Sequence, residues 1–98
     1  MEIARVKGTV VATRKDAKLV SHKLLLLEFA DTSGAPKSGA PIVALDTLDA
    51  GVGDLVLVVR GSSARQALNM STTPVDAIVI GIIDDIEYAG NTTYSAAK

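Results

Sequence analysis

The sequence predicts a small, mainly β domain, a partly open five-stranded barrel with one short helix between strands four and five. Three observations carry that expectation. Five apolar runs rich in Val, Ile, Leu and Ala are separated by polar or glycine-bearing connectors. The connectors are short, and none supplies the crossover helix that joins parallel strands in layered α/β folds. Only one segment, after the fourth run, has the pattern of a helix start.

Residues 2–13, EIARVKGTVVAT, read as the first strand. Ala4, Val6, Gly8, Val10 and Ala12 alternate with Arg5, Lys7, Thr9 and Thr13, and Gly8 marks a bulge or bend. A polar connector, RKDAKLVSH, leads to KLLLLEFA (23–30), an apolar run continuous enough for a strand covered on both faces. DTSGAPKSG is loop chemistry, PIVALD (41–46) a short third strand, and TLDAGVG (47–53) a turn. DLVLVVRG (54–61) is the fourth strand. In GSSARQALNM (61–70), Ser63 and Gln66 have the spacing of a capping box, which opens the helix. After Pro74, DAIVIGIIDDIE (76–87) reads as the fifth strand, interrupted by Gly81. The barrel domain is thus expected over residues 1–87. Residues 88–98, YAGNTTYSAAK, show no periodicity and read as a flexible or neighbour-docking tail. The whole is an OB-like barrel.

Composition narrows the function. The chain has 98 residues and no cysteine, so one domain must hold together without disulfides or thiolate-bound metal. It is 48% hydrophobic with only one Phe, two Tyr and no Trp, an aliphatic surface that points to burial against other subunits. A net charge of −1 with scattered signs argues against nucleic acid and against a polybasic membrane patch. No run approaches the ~20 apolar residues of a membrane span, and the start lacks a signal-peptide core, so a cytoplasmic location is expected.

No constellation points to catalysis, a cofactor or a metal. His22 is the single histidine, too few ligands for a zinc site without cysteines. Asp84 and Asp85 are adjacent on a strand and so face opposite ways. DAGVGD contains G-x-G but leads into a strand, which leaves no helix N-terminus for a pyrophosphate; positive φ at Gly51 or Gly53 explains it better. The 61–65 corner reads in two ways. Amides of Ser62–Ala64, with Arg65 or Arg60, form an anion cradle, or the serines cap a helix whose arginine pairs internally or with another subunit. An OB-like module for an anionic ligand or single-stranded nucleic acid is therefore the alternative function. Phe29, Tyr88 and Tyr94 are few aromatics on which to stack bases.

GTVVATRK (8–15), KLLLLE (23–28), DTLDAGVGDLVLVVRGSSAR (46–65) and PVDAIVIGIID (74–84), in this order and at these spacings, resemble the EutN/CcmL family. Its members are the pentameric vertex proteins of bacterial microcompartment shells. The chain departs from the family pattern at Leu19-Val20-Ser21 and at Asp49, where the family tends to have glycine. The resemblance implies a structural protein with no enzyme activity and no cofactor. It implies a cyclic homopentamer at the vertices of a shell otherwise tiled by hexameric shell proteins. On it, Ser62, Ser63 and Arg65 become candidates for the contact between subunits, and the turn with Asp49, Gly51 and Gly53 a candidate for the axial opening.

Overall fold

The computed structural model describes residues 1–12, 22–61 and 76–96. Seven strands follow one another: β1 (Glu2–Val10), β2 (Lys23–Phe29), β3 (Ile42–Asp46), β4 (Leu55–Arg60), β5 (Ala77–Ile82), β6 (Asp85–Tyr88) and β7 (Asn91–Ser95). The first five close into a barrel in the order β1-β2-β3-β5-β4, and β6 and β7 form a separate two-stranded sheet. All barrel pairs are antiparallel except β3 with β5. The helix expected between strands four and five falls outside the described residues.

Closure depends on β1. Its first residues pair with β4, Glu2 opposite Val58 through Arg5 opposite Leu55, while Ala4 through Val10 pair with β2. The β1–β2 register slips between Val6 and Gly8. A bulge of this kind bends and over-twists a strand, which lets one long strand serve both neighbours. The expected open barrel is therefore a closed one. The bulge also reverses parity: Val6 pairs with buried Leu27, whereas Gly8 pairs with half-exposed Leu26. The face expected to run unbroken from Ala4 to Ala12 thus changes sides at Lys7.

The interior is narrow and mixes small with large side chains. Ala4, Val6, Leu25, Leu27, Ala44, Ala50, Val56, Val58, Ala77 and Val79 form one buried cluster. Leu25 stands opposite Ala44 and Val56 opposite Ala4, so bulk on one strand meets a methyl group on the next. Full burial of each Leu or Val contributes about 1.5–3 kcal/mol. β2 is not covered on both faces within the single chain: Leu25 and Leu27 are buried, while Leu24 and Leu26 stay half-exposed. On the opposite face of the β3–β5–β4 wall, Leu45, Val59 and Ile78 make a second small cluster.

The segment expected as one strand over 76–87 is two. β5 ends at Ile82, the amide of Ile83 donates to the Leu55 carbonyl at 2.8 Å, and β6 begins at Asp85. The residues read as an aperiodic tail then pair back on β6, from Tyr88 opposite Asn91 to Asp85 opposite Ser95. Ala89 and Gly90 connect them with φ of 53° and 82°. Positive φ at both central residues is what a tight primed turn demands, because its twist matches that of the flanking strands.

Candidate functional site

Two places on the barrel carry organised polar chemistry. The first is the barrel mouth under the turn after β3. Asp46 lies on the same face as Val79 and is only 3% exposed. Its carboxylate accepts hydrogen bonds from the amides of Leu48 at 3.0 Å and Ala50 at 2.8 Å. Lys23 Nζ stands 3.6 Å from Asp46 Oδ2 and donates to Asp49 Oδ1 at 2.9 Å and to the Ala50 carbonyl at 2.8 Å. Buried Ala50 plugs the mouth, while Val52 at the tip is 68% exposed. The Lys23 pKa is raised above its ordinary 10.5, first by the hydrogen bond to Asp49, with attraction to Asp49 and Asp46 adding to it and desolvation opposing.

Backbone conformation explains the residue choice in this turn. Positive φ falls on Asp49 (62°) and Gly53 (97°), and not on Gly51. Aspartate is among the few non-glycine residues that visit the left-handed region readily. Asp49 thus holds a backbone conformation that glycine adopts freely and adds a partner for Lys23. The turn is locked from its far end too: the Gly51 amide donates to Asp54 Oδ2 at 2.8 Å, and Gly53 N–H donates to the Val6 carbonyl at 2.8 Å.

The second place is centred on Arg5. Nη1 donates to the Gly53 carbonyl and Nη2 to the Gly34 carbonyl, each at 2.9 Å, and the guanidinium lies 5.5 Å from the centre of the Tyr94 ring. One side chain thereby joins the mouth turn, the 31–36 loop and β7. The loop is organised by Asp31, whose carboxylate accepts from Ser33 Oγ at 2.6 Å and from the amides of Ser33 and Ala35. Those bonds hold the Asp31 pKa below its ordinary 3.8, the Ser33 hydroxyl contributing most. Thr93 Oγ1 donates to the Thr32 carbonyl at 2.6 Å, a second tie between hairpin and loop. Nothing in the sequence distinguishes Arg5 from Lys7, which shares its alternation, so this role was not legible there.

Asp49, Gly51 and Gly53 do lie together in one turn at a barrel end. Ser62, Ser63 and Arg65 lie outside the described residues. Arg60, proposed with them as an anion ligand, is committed elsewhere: Nε and Nη2 donate to the two Glu2 carboxylate oxygens at 2.7 and 3.1 Å, and its guanidinium stacks 5.0 Å from the Phe29 ring centre. That pairing also occupies Phe29, one of the three aromatics available to stack a base. His22 borders a shallow hollow beside Lys23, Asp46, Thr47 and Asp49. Asp84 is not on a strand but in the break between β5 and β6, its carbonyl accepting from Ala96 N–H at 2.7 Å. Among the described residues no group of three or more His, Asp and Glu is placed to hold a metal ion.

Among the described residues, the organised polar groups of this closed five-stranded barrel lock its turns and loops, the work of a structural building block. Residues 1–84 match the family described as ethanolamine utilisation protein EutN/carboxysome, and the chain belongs to that EutN/CcmL family. It is 44% identical to the carboxysome shell vertex protein CcmL of Synechocystis sp. over 95 residues, 97% of this chain and 94% of the relative. The solved structure of Gloeobacter violaceus CcmL superposes with a TM-score of 0.90 at 43% identity, covering 100% of both chains. The GrpN pentameric microcompartment shell protein from Rhodospirillum rubrum superposes with a TM-score of 0.80 at 40% identity, covering 91% of this chain and 100% of GrpN.

Proposed function

We propose that this protein is a structural vertex subunit of a bacterial microcompartment shell in the cytoplasm, working as a cyclic homopentamer and not as an enzyme. The observation that supports this most directly is likeness along nearly the whole chain to shell vertex proteins, one of them described as pentameric. Physically, a head-to-tail contact that closes after five copies makes a ring. Five-fold rings supply the curvature that flat hexagonal sheets lack, so the partners are hexameric shell proteins of the same compartment. Closing the shell retains whatever the enclosed enzymes release.

Within the ring, the turn with Asp49, Gly51 and Gly53 faces the axial opening. Its fixed backbone and exposed Val52 suit a rim that must keep one shape in five copies. Ser62, Ser63 and Arg65 belong to the contact between copies, so Arg65→Ala weakens the ring more than Arg14→Ala. Equal pentamer populations for both variants by native mass spectrometry would contradict that assignment. The function itself is tested by co-expression with hexameric shell proteins. Closed polyhedral shells are expected with this chain present and open or extended sheets without it; equal closure in both would refute the proposal.

A further inference from the structure

The β6–β7 hairpin shares no ladder with the barrel, so side chains must hold it there. Among the described residues, two adjacent positions of β7 supply the polar ties. The β6–β7 register steps from Ile86–Tyr94 to Glu87–Thr92 and skips Thr93. A bulge of this kind re-aims a side chain, and Thr93 Oγ1 donates to the Thr32 carbonyl at 2.6 Å. Next to it, the Tyr94 ring lies 5.5 Å from the Arg5 guanidinium, whose Nη2 donates to the Gly34 carbonyl at 2.9 Å. Gly34 closes the junction, since an added Cβ would press on both Arg5 Nη2 and the Tyr94 ring.

The same arginine reaches the barrel mouth. Its Nη1 donates to the Gly53 carbonyl at 2.9 Å, in the limb of the 47–53 turn that leads into β4. Two backbone bonds tie that limb to β1 as well: Gly53 N–H donates to the Val6 carbonyl at 2.8 Å, and Val6 N–H to the Asp54 carbonyl at 2.9 Å. Gly53 sits at φ 97° and has more backbone freedom than other residue types, so the bonds to its amide and carbonyl decide how its peptides point. Arg5 is itself a long side chain that gives up much rotamer freedom when fixed. Two carbonyls at its edge and the Tyr94 ring over its face fix it together.

We infer that the β6–β7 hairpin is a latch for the barrel mouth: docked, it holds Arg5 in its bridging conformation, and released, it frees both Arg5 and the Gly53 limb of the turn. The hairpin is the element with two states, because a two-stranded sheet alone is marginally stable and depends on its docking. Coupling between two places is reciprocal, so a loosened turn also weakens the hold on the hairpin. A partner that pins the hairpin stiffens the turn, and one that pulls it away loosens it. The coupling lies within one chain and stands apart from the ring reading; on that reading, the latch sets how firmly the axial rim is held.

Amide hydrogen exchange of the intact protein at one fixed protomer concentration tests the latch. Gly53 and Asp54 report on the turn, β6 and β7 on the hairpin, and Leu25 and Leu27 on the barrel wall. Thr93→Val removes a tie that touches neither Arg5 nor the turn. It is expected to speed exchange in the hairpin and, by about fivefold, at Gly53 and Asp54, with Leu25 and Leu27 unchanged. Tyr94→Ala should act in the same direction, and Tyr94→Phe, which keeps the ring, should match the parent. With Arg5→Met, the turn amides exchange faster from the start and a further Thr93→Val adds nothing to them. Turn amides that keep the parent rate in T93V and Y94A while the hairpin accelerates would overturn the latch. So would a further gain from T93V in the R5M background, or equal acceleration at every amide including Leu25 and Leu27. None of these outcomes depends on the mass of the protein in solution, which tests the ring.

Discussion

Asp46 shows how much of this fold rests on single polar residues. Its carboxylate is buried at the barrel mouth, where it satisfies two turn amides and faces Lys23. Asp46→Ala leaves both amides and the lysine without that partner, and the expected loss is about 2–4 kcal/mol, read as a lower Tm at fixed protomer concentration. An unchanged Tm would show that the turn is held by its backbone bonds alone. Lys23 gives a pH signature with a definite sign. Its pKa is raised in the folded state, so its stabilising contribution is complete below the ordinary 10.5 and disappears as pH climbs through the raised value. The Tm gap between the parent and Lys23→Met should therefore close above pH 10.5; a gap that persists would contradict the ionic origin. Asp31 works in the opposite direction. Its lowered pKa adds stability above the ordinary 3.8, lost as pH falls below it.

Among the elements, the five barrel strands were legible because each carries enough Val, Ile, Leu and Ala to announce itself. The hairpin was not. β7 is Asn91–Ser95, NTTYS, whose single large apolar residue is Tyr94, and its turn uses Ala89-Gly90 in place of the Asn-Gly or Asp-Gly that signals a tight hairpin. What orders it lies far away in sequence: the Arg5 guanidinium under Tyr94 and the Thr32 carbonyl bound by Thr93. Gly34 fits this seat closely, because at φ 84° an added Cβ would stand 2.6 Å from Arg5 Nη2 and 2.9 Å from Tyr94 Cδ1. Tyr94→Ala should speed amide hydrogen exchange across β6 and β7 about tenfold, the equivalent of ~1.4 kcal/mol, and leave β2 and β3 unchanged. Equal rates in variant and parent would remove Tyr94 from the role of anchor. The candidate site was legible in part for a similar reason. The glycines of the 47–53 turn stand out locally, whereas the Lys23–Asp46–Asp49 linkage exists only once β2 and β3 pair.

Across the whole molecule, the five described barrel strands close on themselves and leave no free sheet edge, so a contact between copies would fall to side-chain surfaces or to the two-stranded β6–β7 sheet. That accords with an aliphatic composition in which Val43, Val52, Ile82 and Tyr88 remain exposed on the single chain. It also accords with membership in a family of shell vertex proteins. In the proposed function, five copies of this chain form one closed ring. The mass of the intact protein in solution tests it most directly: a single species near ~50 kDa, five times the 10.1 kDa chain, is the predicted result. A species at 10.1 kDa, or a ladder of masses with no preference for five, would contradict it.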